Sequence, residues 1–86
     1  MTRHEWLISR LEPMAIYGER KRCLDETGLD LRPIELVLER CGWCGLQRAV
    51  TLREGATGDR WRTVAQRQPG EPWSRSRTVG ACQGRA

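Results

Sequence analysis

The chain is short and basic. It has 86 residues, of which 38% are hydrophobic, and a formal net charge of +4 at pH 7. This length excludes an enzyme built from two domains, since one domain typically takes about 100–150 residues. No segment approaches the roughly 20 consecutive apolar residues of a membrane-spanning helix, and no apolar stretch follows the first residues. We therefore expect a cytoplasmic protein that does not contact a membrane.

The positive charge is concentrated in the second half of the chain. Residues 1–45 carry seven basic and eight acidic side chains, whereas residues 46–86 carry eight basic and three acidic ones. A basic segment attracts polyanions, of which nucleic acid is the commonest, although a modest positive charge also serves solubility. The charge distribution is consistent with a nucleic-acid partner.

Three helices are predicted in the first half. Residues 2–5 (TRHE) form a capping box that begins a first helix, and Pro13 ends it. A second helix covers about residues 14–27, with Gly28 as its C-terminal cap. A third helix covers about residues 31–41, because apolar residues recur there at helical spacing.

The second half predicts a β-hairpin followed by a flexible tail. Strand-like patterns cover residues 46–53 and 60–67, with a turn-rich loop between them. Residues 68–86 are rich in Pro, Gly, Ser and Arg and are expected to lack a fixed fold. The predicted fold class is therefore α+β, with three short helices and a hairpin in a domain over residues 1–67. Trp73 falls in the predicted tail, whereas three tryptophans are expected to anchor the core: Trp6, Trp43 and Trp61.

Residues 20–39 match most of the 20-residue helix-turn-helix pattern. Gly28 occupies the position where that pattern requires a glycine. The pattern's apolar positions hold Cys23, Thr27, Leu29, Ile34 and Val37. Leu24 departs from the pattern, since it stands where the two helices need a small residue. With the hairpin that follows, the chain resembles the winged-helix family of DNA-binding proteins.

This resemblance implies a small regulator or accessory protein that binds duplex DNA. In the family, the second helix of the motif enters the major groove, so residues 31–41 would be the recognition helix. The implied contacts with DNA are Arg32, Glu35, Arg40, Arg48, Arg53, Arg60 and Arg62. Residues 34–42 (IELVLERCG) also resemble the opening helix of lambdoid-phage late antiterminators, which implies a phage origin. The alternative is a protein–protein interaction module that binds no nucleic acid, and a homodimer is possible in either case.

The cysteines leave a zinc site open as a second alternative. Residues 41–45 (CGWCG) have the spacing of a zinc knuckle, which supplies two ligands. The remaining two would come from Cys23, Cys82 or His4. A site that joins Cys23 to both Cys41 and Cys44 is incompatible with the helix-turn-helix, because Cys23 and Cys41 would lie at distant points of the motif. We therefore predict no cofactor and reduced cysteines. The alternative is a zinc site formed by Cys23, Cys41, Cys44 and Cys82.

No catalytic constellation is visible. The chain has one histidine, no phosphate-binding glycine loop and no Ser/His/Asp set. We expect that it is not an enzyme.

Overall fold

Five antiparallel strands, paired in chain order, form one sheet in the computed structural model, which describes residues 3–53 and 60–84. The strands are β1 (Trp6–Ile8), β2 (Leu36–Cys41), β3 (Gln47–Arg53), β4 (Arg60–Arg67) and β5 (Ser74–Arg75). A helix, α1 (Pro13–Thr27), joins β1 to β2, and a 3-10 turn (Pro33–Glu35) precedes β2. β1 and β5 are the two edges of the sheet.

The helix α1 begins and ends at the residues that the sequence indicates. Pro13 is its first residue, where a missing N–H costs no hydrogen bond. Gly28 ends it in the left-handed conformation at φ 69°, and its N–H donates to the Leu24 carbonyl at 2.8 Å. The prediction of a helix over residues 14–27 is confirmed. No helix within the described residues is long and apolar enough to cross a membrane.

The core lies between α1 and one face of the sheet. Leu38 pairs with Ala49, and Ala49 pairs with Ala65, so these three side chains share the face that α1 covers. The buried core consists of Cys23, Leu24, Leu36, Leu38, Ala49, Ala65 and Trp73. Three of these seven side chains are small, and Trp73 is the one buried aromatic ring among the described residues. The hydrophobic core is therefore modest in volume.

The chain after β5 crosses the other face of the sheet. Gln66 lies on that face because it follows the core residue Ala65, and Cys41 does so because it is three positions along β2 from the core residue Leu38. The Gln66 amide donates to the Ser76 hydroxyl at 3.1 Å, and Cys82 Sγ lies 3.7 Å from Cys41 Sγ. Residues 76–82 therefore run from β4 to β2 over the face opposite α1.

The predicted fold class is wrong. Residues 31–41 form the 3-10 turn and β2 instead of a recognition helix, and β2 is a central strand of the sheet. Short apolar runs satisfy helical and strand periodicity alike, and here Leu36 and Leu38 alternate into the core as strand residues. The predicted first helix is also wrong, because Trp6–Ile8 is strand β1. Residue 2 of its predicted capping box lies outside the described part of the chain.

The hairpin is present, whereas the tail differs from its prediction. β3 and β4 pair from Gln47↔Arg67 to Arg53↔Arg60, with an irregularity between Ala49 and Val50. Within the predicted tail, Trp73 is only 3% exposed and β5 adds to the sheet. The expectation that residues 68–86 lack a fixed fold is therefore wrong for the described residues 68–84.

Candidate metal centre

A tight turn brings Cys44 back beside Cys41. Cys41 is the last residue of β2, and its carbonyl accepts a hydrogen bond from the Gly45 N–H at 3.0 Å. Gly45 has φ 79°, a left-handed conformation that glycine adopts without strain. The chain then reverses into β3, and the Cys41 N–H donates to the Leu46 carbonyl at 2.8 Å. The CGWCG segment is therefore a closed knuckle at the end of a hairpin.

The β1–β2 pairing brings His4 to this knuckle. The Gly42 N–H donates to the Glu5 carbonyl at 2.7 Å, which extends the ladder one residue beyond the strands. His4 precedes Glu5, and its Nδ1 lies 3.5 Å from Cys44 Sγ. The other ring nitrogen, Nε2, lies 2.7 Å from the Gly80 carbonyl oxygen. Since a carbonyl only accepts, Nε2 carries the proton and a neutral ring keeps its lone pair on Nδ1.

The fourth candidate ligand, Cys82, lies in the segment after β5 that crosses the sheet. Its Sγ lies 3.7 Å from Cys41 Sγ, and the ligand atoms of His4, Cys41, Cys44 and Cys82 all lie within 4.8 Å of one another. A tetrahedral zinc site with bonds of about 2.3 Å to sulfur and about 2.0–2.1 Å to nitrogen has S···S edges of about 3.8 Å and S···N edges of about 3.5 Å. The Cys41–Cys82 and Cys44–His4 separations match these edges, so the cluster can hold a metal ion.

Burial and backbone amides set the charge of the two buried thiols. Burial of Cys41 opposes its ionisation, but the Cys44 amide, the His4 ring and the Trp43 amide together lower the pKa of Cys41 to about 5. The Trp43 N–H donates to Cys41 Sγ at 3.4 Å, and the Gly84 N–H donates to Cys82 Sγ at 3.4 Å. Burial, with the neighbouring thiols, raises the pKa of Cys82. The cluster therefore already favours one thiolate, the form of cysteine that binds metals.

A stack of side chains supports the histidine from the sheet. The His4 ring lies on the Trp6 ring with centroids 4.7 Å apart, and the Arg48 guanidinium lies 3.9 Å from the Trp6 centroid. Arg48 in turn pairs with Glu39 at 2.8 Å. Both members of this ion pair are mostly covered, and all four side chains lie on the sheet face opposite α1. The His4 ring is therefore fixed on one side by a ring and at Nε2 by a carbonyl.

Three of the four cysteines named as zinc candidates meet in this cluster. Cys41, Cys44 and Cys82 are in it, together with His4, whereas Cys23 is fully buried in the core on α1. Cys23 therefore has no place in the site. The sequence identified His4 and Cys82 only as residues of a metal-binding type. It could not place them beside Cys41 and Cys44, because the contacts that do so join distant parts of the chain.

The residues predicted to bind DNA are spread over the molecule. The Arg32 N–H donates to the Glu35 carboxylate at 2.8 Å in the 3-10 turn, and Arg40 is exposed on β2. Arg48 is engaged by Glu39 and Trp6. The remaining three lie at the far end of the hairpin: Arg53 and Arg60, which pair through their backbones, and Arg62. The side chains of Arg53 and Arg60 lie outside the described part of the chain.

Comparison of the chain with protein-family models, with curated proteins and with solved structures found no match.

Proposed function

We propose that the protein is a small zinc-binding domain in which one Zn²⁺ is bound by His4 Nδ1 and by the Sγ atoms of Cys41, Cys44 and Cys82. The observation that carries the proposal is the orientation of His4. Its Nε2–H donates a hydrogen bond to the Gly80 carbonyl, so the lone pair of Nδ1 faces the sulfur atoms. Ligating histidines in proteins are held in this way by a hydrogen bond from the second ring nitrogen.

The donor set favours zinc among the common metals. Three thiolates and one imidazole are soft or borderline ligands, which suit Zn²⁺ and do not suit Mg²⁺ or Ca²⁺. The amide hydrogen bonds to Cys41 and Cys82 stabilise negative charge on sulfur. These bonds lower the cost of gathering several thiolates at one point.

The role of this ion is structural. Four protein ligands close a tetrahedral zinc site, whereas catalytic zinc keeps a position for water or substrate. The ligands come from His4, two residues before β1, from the end of β2 and the β2–β3 turn, and from the chain after β5. One ion would therefore tie both ends of the described chain to the hairpin. A domain with a modest core gains most from such a tie.

Metal titration tests the proposal. Protein purified in the presence of a reductant, stripped with a chelator and titrated with Co²⁺ should develop the absorption of tetrahedral cobalt and the thiolate-to-cobalt charge-transfer band at one equivalent. Zn²⁺ should displace the cobalt at the same stoichiometry. His4→Ala and Cys82→Ala should weaken binding by at least about tenfold, whereas Cys23→Ala should titrate as the wild type does. A wild-type protein that binds neither ion, or a Cys82→Ala variant with unchanged affinity, would refute the site.

Binding to duplex DNA, a protein partner, homodimerisation and the absence of enzymatic activity stay predictions. The proposed recognition helix does not exist, so DNA binding through a helix over residues 31–41 is not part of the proposal.

A further inference from the structure

A second groove lies beyond the C-terminal end of α1, far along the sheet from the metal centre. Its volume is about 580 Å³. On one side it is bounded by residues 29–31, and on the other by the distal parts of β3 and β4 and by residues 75–77. The cluster of His4 and the three cysteines does not contribute to it.

Three arginines converge on this groove, and its lining contains one carboxylate. Arg62 pairs with Thr51 and Arg75 pairs with Ala65, and Arg77 follows Arg75 by two residues. Asp30 is the single acidic residue of the lining. Within the part of the chain that the structure describes, neither Arg62 nor Arg77 forms an ion pair. The groove therefore carries uncompensated positive charge, which favours an anionic ligand.

Arg75 is held in place by the end of the helix. Its Nε donates to the Thr27 carbonyl at 2.8 Å, and its Nη2 donates to the Gly28 carbonyl at 2.9 Å. These carbonyls end α1 and carry partial negative charge. The guanidinium both satisfies them and is fixed at the wall of the groove. A cation fixed before binding loses less conformational entropy when it meets an anion.

The remaining lining suits a nucleotide better than an isolated anion. The hydroxyl of Thr51, the strand partner of Arg62, adds a hydrogen-bonding group beside the arginines. Leu29, Leu31 and Val64 supply apolar surface in the same groove. Phosphate contacts from arginine together with apolar contacts to the bases are how proteins hold single strands. We propose that this groove, with Arg62, Arg75 and Arg77 as its phosphate contacts, binds single-stranded nucleic acid.

One observation favours a single strand over a duplex. The charged side chains on the outer surface of α1 are paired with each other, as Lys21–Asp25 and Arg22–Glu26, so this helix offers no basic face to a major groove.

Fluorescence anisotropy with labelled oligonucleotides tests this inference. The probes are a mixed-sequence 12-nucleotide single strand, as DNA and as RNA, and the corresponding DNA duplex, each titrated with metal-loaded protein. The test variant is Arg62→Ala/Arg77→Ala, whose side chains form no ion pair within the described residues. The matched control is Arg10→Ala/Arg40→Ala, which removes the same charge from the groove beside β1.

The test variant should bind the single strand at least about tenfold more weakly at low salt, and the control should stay within about threefold of the wild type. The slope of log K against log salt should fall in magnitude by about 1.4 in the test variant, for two lost phosphate contacts on a single strand. Equal losses in both variants, no binding of the single strands, or duplex binding as tight as single-strand binding would overturn the proposal. Zinc content, measured for each variant, separates this result from the fate of the metal site, on which the inference does not rest.

Discussion

Replacing Cys82 by Ala should remove a large part of the stability that the metal provides. Cys82 and Cys41 are 41 positions apart in sequence, so the ion closes a loop of that length between the knuckle and the chain after β5. By the loop-closure relation for cross-links, opening such a loop costs about 4 kcal/mol at 25 °C. For a domain of this size that loss lowers the midpoint of thermal unfolding by about 15–30 °C. The whole free energy of unfolding is only about 4–13 kcal/mol at the typical value per residue.

The assay is urea and thermal denaturation, followed by circular dichroism, with one equivalent of Zn²⁺ and again with excess chelator. With zinc, Cys82→Ala should unfold far earlier than the wild type. With chelator, the wild type should lose its advantage and the two proteins should unfold alike. Cys23→Ala is the matched control, because Cys23 is a buried cysteine outside the cluster. Its cost should be the same with and without zinc.

The reasoning fails if Cys82→Ala unfolds within about 1 kcal/mol of the wild type in zinc, since a lost cross-link of this length costs more. It fails equally if the difference between the two proteins persists unchanged in chelator. That result would mean that Cys82 contributes only through its packing against Cys41, as one more buried side chain.

Three other predictions follow from the core and from two pKa shifts. Trp73→Ala should lower the free energy of unfolding, measured by urea denaturation, by about 3–5 kcal/mol. The control is Trp61→Ala, which removes an exposed ring and should change the free energy of unfolding by less than about 0.5 kcal/mol. Equal effects of the two substitutions would contradict the burial of Trp73. The Trp73 amide and Arg22 lower the pKa of Glu26 below 4.5, so its carboxylate stabilises the fold above that pH and the contribution is lost as pH falls through the lowered pKa. Glu26→Gln should therefore show a shallower fall in midpoint than the wild type between about pH 5 and pH 3, and parallel curves would contradict it. Burial raises the pKa of Cys23 to about 12, so the fold favours the neutral thiol, and the free energy of unfolding falls as pH rises above the unfolded-state pKa of about 8.5. Cys23→Ala should therefore lose less stability than the wild type between about pH 8.5 and pH 11. An equal loss of stability in the two proteins would count against this cause.

The elements that the sequence predicts well are those whose signals are local. Pro13 and Gly28 bound α1 through backbone geometry that the two residue types impose by themselves. The hairpin follows from two strand-like runs separated by turn-forming residues, and β4 (Arg60–Arg67) has the predicted bounds. Neither inference needs knowledge of what the element packs against.

The fold class needed non-local information. Residues 31–41 satisfy a helical pattern through Ile34 and Val37, but Ile34 is 69% exposed and the core takes Leu36 and Leu38 instead. What decides for a strand is the ladder that β2 forms with β1 and β3 on either side. Tertiary pairing of this kind overrides local propensity.

Trp73 shows the same effect in a segment that composition predicts to be unstructured. Pro and Gly surround it, yet it fills the core under α1. Its backbone N–H donates to the Glu26 carboxylate at 2.7 Å, and the Arg67 guanidinium lies 4.5 Å from its ring centroid. Arg67 is near in sequence, whereas Glu26 is 47 positions away. The burial of this ring, together with the backbone hydrogen bond, orders a segment whose average composition favours disorder.

Two of the four candidate metal ligands can be predicted from the sequence, and the other two cannot. The spacing of Cys41 and Cys44, with Gly45 after them, identifies the knuckle from sequence alone. The choice of the other two ligands among His4, Cys23 and Cys82 depends on topology. The helix-turn-helix interpretation places Cys41 at the end of a helix, where none of these residues has a reason to approach it. Once residues 36–41 are a strand, β1 pairs beside it and carries His4 to the knuckle, while α1 holds Cys23 on the opposite face of the sheet. The wrong assignment of β2 therefore contributes to the wrong fold class, together with those of β1 and the tail, and it accounts for the prediction of no cofactor.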